Sequence, residues 1–165
     1  MYPELLRLLT CDDLEPGEPE ELTRQILSAP DDPGYEWVQG DAAIAMACEL
    51  RDILGEFGAT SDKIDEAHEQ IQGMFEGDFP GLPSELFDQA QRIDGRVYFR
   101  WLNEELARRA VEDGGYEIIA FDTGADDRFT LIVVYRKDAA RILELAGALG
   151  LRMSAPARDD RAASD

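Results

Sequence analysis

Apolar positions in the first half of the chain recur at three- and four-residue intervals, the period of helices that turn one face toward a core. Leu5, Leu6, Leu8 and Leu9 follow Pro3, which a first helical turn tolerates because the N–H it lacks would have no partner there. After the break at "LEPGEPEE", Pro19, Glu20 and Glu21 start a second short helix carrying Leu22, Ile26 and Leu27, with its acids where the helix dipole favours them. "APDDPGYEW" reads as a turn-rich connector. Asp41 is a good N-cap for "AAIAMACELRDILGEF", whose Ala43, Met46, Ala47, Leu50, Ile53, Leu54 and Phe57 share a face, and Gly58 is expected to close it. Ser61 opens a further helix with Ile64, Ala67, His68, Ile71, Met74 and Phe75 on one stripe, and Ser84 caps another through Leu86, Phe87, Ala90 and Ile93.

The pattern then changes. A helix over 96–113 places Phe99, Leu102, Leu106 and Ala110 on one face, and Gly114 and Gly115 stop it. "YEIIAF" and "FTLIVVY" are rich in branched and aromatic residues and flank turn-forming residues, which predicts a β-hairpin within 116–135. Asp138 caps a helix containing Ile142, Leu143, Ala146 and Leu149, and Gly150 ends it. "LRM" supplies a third strand over 151–153. The expected fold is α+β, a helical N-terminal half packed with a small antiparallel sheet. The helices over 96–113 and 138–149 would cover one face, leaving the other for solvent or a partner. Residues 1–153 would form one domain and 154–165 a flexible tail.

Composition narrows the functional classes. No apolar run approaches the roughly 18 residues that read as a membrane span, and the acidic N-terminal stretch does not resemble a signal peptide. Cys11 and Cys48 form neither a C-x-x-C pair nor a disulfide framework, which points to a reducing cytoplasm, and Cys48 is expected to be a packed thiol. The charge carries more information. The chain has 36 acids against 16 basic residues, and −18 of its net −20 lies before Arg96. Such a field repels phosphate backbones, so nucleic acid is not an expected partner, and a basic protein is. Arg108 and Arg109 are expected to pair with the acidic half. No G-x-x-x-x-G-K or G-x-G-x-x-G element is present, and no cofactor is indicated. His68, the sole histidine, reads as a packed or rim residue.

The loop "FDTGADD" raises a specific alternative. An Asp-Thr-Gly-Ala-Asp run after apolar residues resembles the signature of retroviral-type aspartic proteases, which implies one carboxylate of a shared-proton dyad. The resemblance stops at about seven residues. A helix comes before the motif's strand, and no flap or second apolar-Gly-Arg element follows. The residues themselves suggest a turn. Asp122 would cap backbone N–H groups, Gly124 would take a positive φ, and Asp126 and Asp127 would face water at the tip. Asp122, Asp126 and Asp127 are also weak candidates for a divalent cation, being hard oxygen donors on one loop, although they lack the EF-hand order.

The stretch "WLNEELARRAVEDGGYEIIAFDTGADDRFTLIVVYRKDAARILELAGALGLRM" resembles the end of an uncharacterised bacterial domain family. That resemblance implies the same helix–hairpin–helix–strand succession and no activity. The functional expectation is therefore a non-catalytic, soluble acidic protein that binds a basic macromolecular partner, immunity- or inhibitor-like or mimicking nucleic acid. The contact residues would be drawn from Glu20, Glu21, Asp31, Asp32, Asp126 and Asp127. A carboxylate-based hydrolase is the alternative, and it requires two acids converging in a pocket with a raised pKa.

Overall fold

The structure, a computed structural model, describes residues 1–156 and residue 158. Its centre is a four-stranded antiparallel sheet of β1 (Gly58–Ser61), β2 (Tyr116–Asp122), β3 (Phe129–Tyr135) and β4 (Arg152–Ser154), in the order β1-β3-β2-β4. The predicted hairpin is β2–β3, with Ile119 opposite Ile132 and Ala120 opposite Leu131. The third strand also forms, one residue later than expected, with Arg152 opposite Asp122 at the edge of the sheet.

Helices cover both faces of the sheet, which corrects the expectation of one covered face. The α-helices are α1 (Tyr2–Leu9), α2 (Glu18–Ser28), α3 (Ala42–Ile53), α4 (Ile64–Met74), α5 (Gly95–Ala107) and α6 (Ala139–Leu149). Because side chains alternate along a strand, Ile119, Phe121, Ile132 and Val134 point one way. There they meet Leu5, Leu6 and Leu9 of α1, Ile26 of α2, Leu50 of α3 and Ile142 of α6. Ile118 and Leu131 point the other way, with Ala59, and pack on Ile71 of α4 and Tyr98, Leu102 and Leu106 of α5. Thus α5 and α6 lie on opposite faces. Burial on both sides is why "IIAF" and "LIVV" run apolar without alternating.

Four local expectations are corrected. Gly58 does not close a helix. α3 ends at Ile53, and Gly58 begins β1, where a Cβ would stand 3.1 Å from Thr130 Cγ2 and 3.4 Å from the Leu131 carbonyl oxygen. Ser61 is likewise a strand residue. Its hydroxyl accepts from the Lys63 N–H at 3.0 Å and donates to Glu66 at 2.9 Å, just before α4. The segment after Ser84 makes only a 3-10 turn, Ser84–Leu86. Asp88 Oδ1 then accepts the N–H groups of Ala90 and Arg92 at 2.8 and 2.9 Å, holding a loop that a helix would have to break. α5 ends at Ala107 rather than 113, and Ala110 adopts φ 50°.

One edge of the sheet is finished by a side chain. The Gln70 amide pairs with the backbone of Thr60, accepting from its N–H and donating to its carbonyl at 3.0 Å each. It occupies hydrogen-bonding groups that an edge strand would otherwise offer to another chain. At the other end of the fold, Ser154 belongs to β4, Ala155 is buried, and Arg158 Nε donates to Glu117 Oε1 at 2.9 Å. The packed structure therefore runs past residue 153. The remainder of the expected tail, residues 157 and 159–165, lies outside the described residues. Among the described residues, no helix is long and apolar enough to cross a membrane.

Candidate functional site

The hairpin loop is held by its own side chains. Asp122 Oδ1 accepts from the Gly124 N–H at 2.8 Å, Thr123 Oγ1 from Ala125 at 3.2 Å, and Asp126 Oδ1 from Arg128 at 3.1 Å. Gly124 has φ 80°, in the left-handed region that a side chain disfavours. The turn reading of "FDTGADD" is therefore the arrangement observed.

Asp126 does not simply face water. It is clasped between Arg51 of α3, whose Nη1 and Nη2 each lie 3.2 Å from its oxygens, and Arg128, whose Nη2 and Nε lie at 2.8 and 3.1 Å. Only a tenth of the Arg51 side chain is exposed. Burial alone would push the Asp126 carboxyl up, but the hydrogen bonds from Arg128 and Arg51 outweigh it and hold the carboxyl below its usual value. The loop acid thus pins the hairpin to α3. Asp127 is exposed.

Asp122 faces Arg152 rather than a second carboxylate, with Arg152 Nη1 3.9 Å from Oδ2. Among the described residues, no three His, Cys, Asp or Glu side chains are gathered so as to hold a metal ion, the loop aspartates included. A raised carboxyl does occur at Asp138, chiefly through burial. Lys137 lowers it, and Asp12 adds a smaller upward push.

His68 is a core residue. Its Nε2 lies 2.8 Å from the Pro80 carbonyl, which can only accept, so Nε2 carries the proton and Nδ1 accepts from the Tyr98 hydroxyl at 3.0 Å. Its ring packs against Phe79, Tyr98 and Trp101. Burial lowers its pKa, and the Pro80 contact opposes that only in part. Cys48 is buried, and burial raises its thiol.

Arg108 and Arg109 do not neutralise the acidic half. Both lie just past the end of α5 and pair with Glu105 in its last turn, at 3.0 and 3.5 Å. Arg109 lies over the Phe79 ring and reaches the acidic half only through the Asp78 carbonyl. Short i,i+3 and i,i+4 reach satisfies these side chains before distant acids can.

The acids of the N-terminal half are consequently left with few partners. Between Asp12 and Glu56 the chain has thirteen acids and two arginines, Arg24 and Arg51. Arg51 is committed to Asp126, and no acid in this stretch forms an ion pair among the described residues. The connector between α2 and α3 folds as two 3-10 turns, Ala29–Asp31 and Pro33–Val38. These turns draw Asp31, Asp32, Glu36 and Asp41 around a hollow of about 330 Å³, which Val38, Ala42 and Ala45 also line. A second hollow, of about 510 Å³, is lined by Glu21, Arg24, Asp32 and Glu49. Asp32 borders both.

Two acids of the first hollow also build it. Asp32 Oδ1 accepts from Gly34 at 2.8 Å, and Asp41 Oδ1 caps α3 through Ile44 at 3.1 Å. The Tyr35 hydroxyl ties the connector to α3, lying 2.7 Å from Glu49 and 3.4 Å from Asp52. Burial and then Glu49 raise its pKa well above that of an ordinary tyrosine. Trp37, between two lining residues, and Leu27 on α2 are each 56% exposed.

Of the candidate contact residues, the fold brings Glu21, Asp31 and Asp32 to these two hollows. Glu20 is exposed on α2 without lining either, and Asp126 is occupied on the hairpin. Glu36 and Trp37 were not singled out by sequence, and Asp41 was singled out only as the cap of α3. The signal for Glu36 and Trp37 was the run of acids and aromatics in "DDPGYEW", which reads locally as turn formers.

A family model described as a domain of unknown function matches residues 1–157, almost the whole chain rather than its final third. No curated protein and no solved structure matches the chain.

Proposed function

The chain belongs to the DUF6630 family of domains of unknown function, and from that premise we propose that it is a non-catalytic recognition protein whose acidic face binds a basic macromolecule. The observation that carries this reading is the absence of internal compensation among the described residues. The acids from Asp12 to Glu56 have no ion-pair partners there, while basic residues of the C-terminal half are spent on Glu105, Glu4, Asp113 and Asp126. An uncompensated field of one sign accelerates encounter with an oppositely charged partner and discourages like-charged ones. A free basic protein, of the kind an immunity or inhibitor protein would hold, is the partner chemistry this field suits.

The reading is tested by affinity capture with the wild-type chain and with a variant carrying Asp31→Asn, Asp32→Asn, Glu36→Gln and Asp41→Asn. Asparagine caps as well as aspartate does, so the fold is expected to survive. The expected result is a basic protein retained by the wild type, released by added salt and not retained by the variant. Retention that is indifferent both to salt and to the four substitutions would overturn the reading.

A further inference from the structure

We propose that residues 75–94, the connection from α4 to α5, form an acid-released strap: protonation of His68 frees this segment to open locally while the sheet and its other helices stay folded. The device belongs to the fold and stands apart from the basic-partner reading.

The strap has little regular structure of its own. Between Met74 and Gly95 it holds one 3-10 turn, Ser84–Leu86, and a single bridge from Phe87 to Ile93. Connections this long and irregular are uncommon in compact domains and are usually functional when ordered. Glu76 and Gln91 have φ 52° and 59°, so residues with side chains hold left-handed backbone near both ends. A row of side-chain donors fixes the base of the strap. Three consecutive carbonyls, those of Asp78, Phe79 and Pro80, accept from Arg109 Nη2 at 3.0 Å, Gln72 Nε2 at 3.3 Å and His68 Nε2 at 2.8 Å. Phe79 is buried and packs on the His68 ring. Of the three donors, only His68 titrates near neutrality.

The surroundings of His68 suit the neutral ring alone. From α5, the Tyr98 hydroxyl donates to Nδ1 at 3.0 Å and Trp101 packs on the ring. From the strap come the Pro80 carbonyl and the Phe79 ring. The charged side chain at this end of the strap, Arg109, lies over Phe79 and pairs with Glu105. A protonated His68 has a donor at both nitrogens. Its Nδ1–H would meet the Tyr98 hydroxyl, whose own hydrogen would then need a new acceptor, and Tyr98 is completely buried. Burial also opposes the charge, so the closed form resists protonation. With the strap lifted, the Pro80 contact is gone and the imidazolium meets water. The open form then titrates near the ordinary histidine value of about 6.5, and falling pH draws the population toward it.

The experiment is amide exchange in the ¹⁵N-labelled chain between about pH 7 and pH 5, each rate divided by its intrinsic rate at that pH. The reporters in the strap are Asp78, Phe87 and Asp88, whose N–H groups donate to the carbonyls of Phe75, Ser84 and Arg92. Ile119 and Ile132 report on the central strands. As the sole histidine, His68 gives one set of ring resonances, followed in the same samples. The expected result is strap amides less protected than the central strands at every pH. Their normalised exchange should rise about tenfold from pH 7 to pH 5, with His68 titrating below about 6.5. His68→Gln should flatten this dependence, because a glutamine amide can donate to Pro80 and accept from Tyr98 without titrating. Strap exchange that is indifferent to pH, or that rises equally in His68→Gln, would overturn the proposal. So would one shared protection for strap and central strands, which would mean that the strap opens only with the whole fold. Should His68→Gln fail to fold, the wild type decides. A ring that titrates in step with strap exchange upholds the gate, and a ring that titrates while strap exchange stays constant overturns it.

Discussion

Replacing Asp126 with Asn tests whether the acid of "DTGADD" is a structural clasp. The substitution keeps the side chain's shape and its acceptor for the Arg128 N–H, but removes the charge that faces two guanidinium groups. The contacts from Arg128 are worth little, because half of that side chain is exposed and solvent screens it. The two contacts from Arg51 weigh more. Its side chain is 10% exposed, and without Asp126 its guanidinium would keep only a 3.4 Å contact to Thr123 Oγ1. Charge-assisted hydrogen bonds left incomplete in such a setting cost about 1.5–3 kcal/mol. Urea unfolding should therefore show Asp126→Asn destabilised by about 2 kcal/mol with an unchanged m value, and Tm lowered by about 4–8 °C.

Arg51→Met should couple to Asp126→Asn in a double-mutant cycle, the double variant losing less than the two single losses together. The pH dependence has a fixed sign. The folded Asp126 carboxyl lies below its unfolded value, so its contribution is complete above an unfolded pKa of about 3.9 and is lost as pH falls through the folded value. The variant's acid limb should be correspondingly flatter. An Asp126→Asn protein within about 0.3 kcal/mol of wild type, with no coupling to Arg51, would refute the clasp.

Gly115→Ala is expected to destabilise by at least about 2 kcal/mol in the same unfolding assay. Gly115 has φ +91°, and a Cβ there would lie 2.6 Å from the Ala107 carbonyl oxygen. A variant as stable as wild type would contradict the packing of α5 against the start of β2. For His68, burial depresses the folded pKa, so the unfolded chain takes up the proton first. Stability should be intact above about pH 6.5 and should fall as pH drops below it. His68→Gln should reduce that slope at the cost of overall stability, and an unchanged slope would remove His68 as its source.

Much of the fold was legible because its elements advertise themselves locally. The Leu-rich first helix, the Asp41 cap and the two branched apolar strands each satisfy a short-range rule, and each formed. β1 did not advertise itself. Four residues, Gly-Ala-Thr-Ser, are too few to show alternation, and their strand character comes from pairing with β3. The segment from Ser84 to Ile93 has helical spacing, but Asp88 captures its backbone donors and Phe87 bridges to Ile93. Coverage of both sheet faces was present in the sequence as uninterrupted apolar runs, although the helix order alone did not assign α5 and α6 to opposite sides.

The site was legible as charge and not as shape. Asp31 and Asp32 stand out as acids, but their gathering with Glu36 and Asp41 depends on two 3-10 turns whose course is set by Pro30, Pro33 and the Asp32 cap. The clasp on Asp126 joins residues 75 positions apart, a pairing no local pattern contains. The pairing of Arg108 and Arg109 with Glu105 followed from helix geometry, and it left the acidic half uncompensated.

Amide hydrogen exchange on the complex with the captured basic partner tests the central claim most directly. The account predicts protection on binding over residues 27–42 and the adjoining turns of α2 and α3, with the hairpin loop and α5 unchanged. Protection confined to α5, α6 or the 122–128 loop, with 27–42 exchanging as in the free protein, would contradict it.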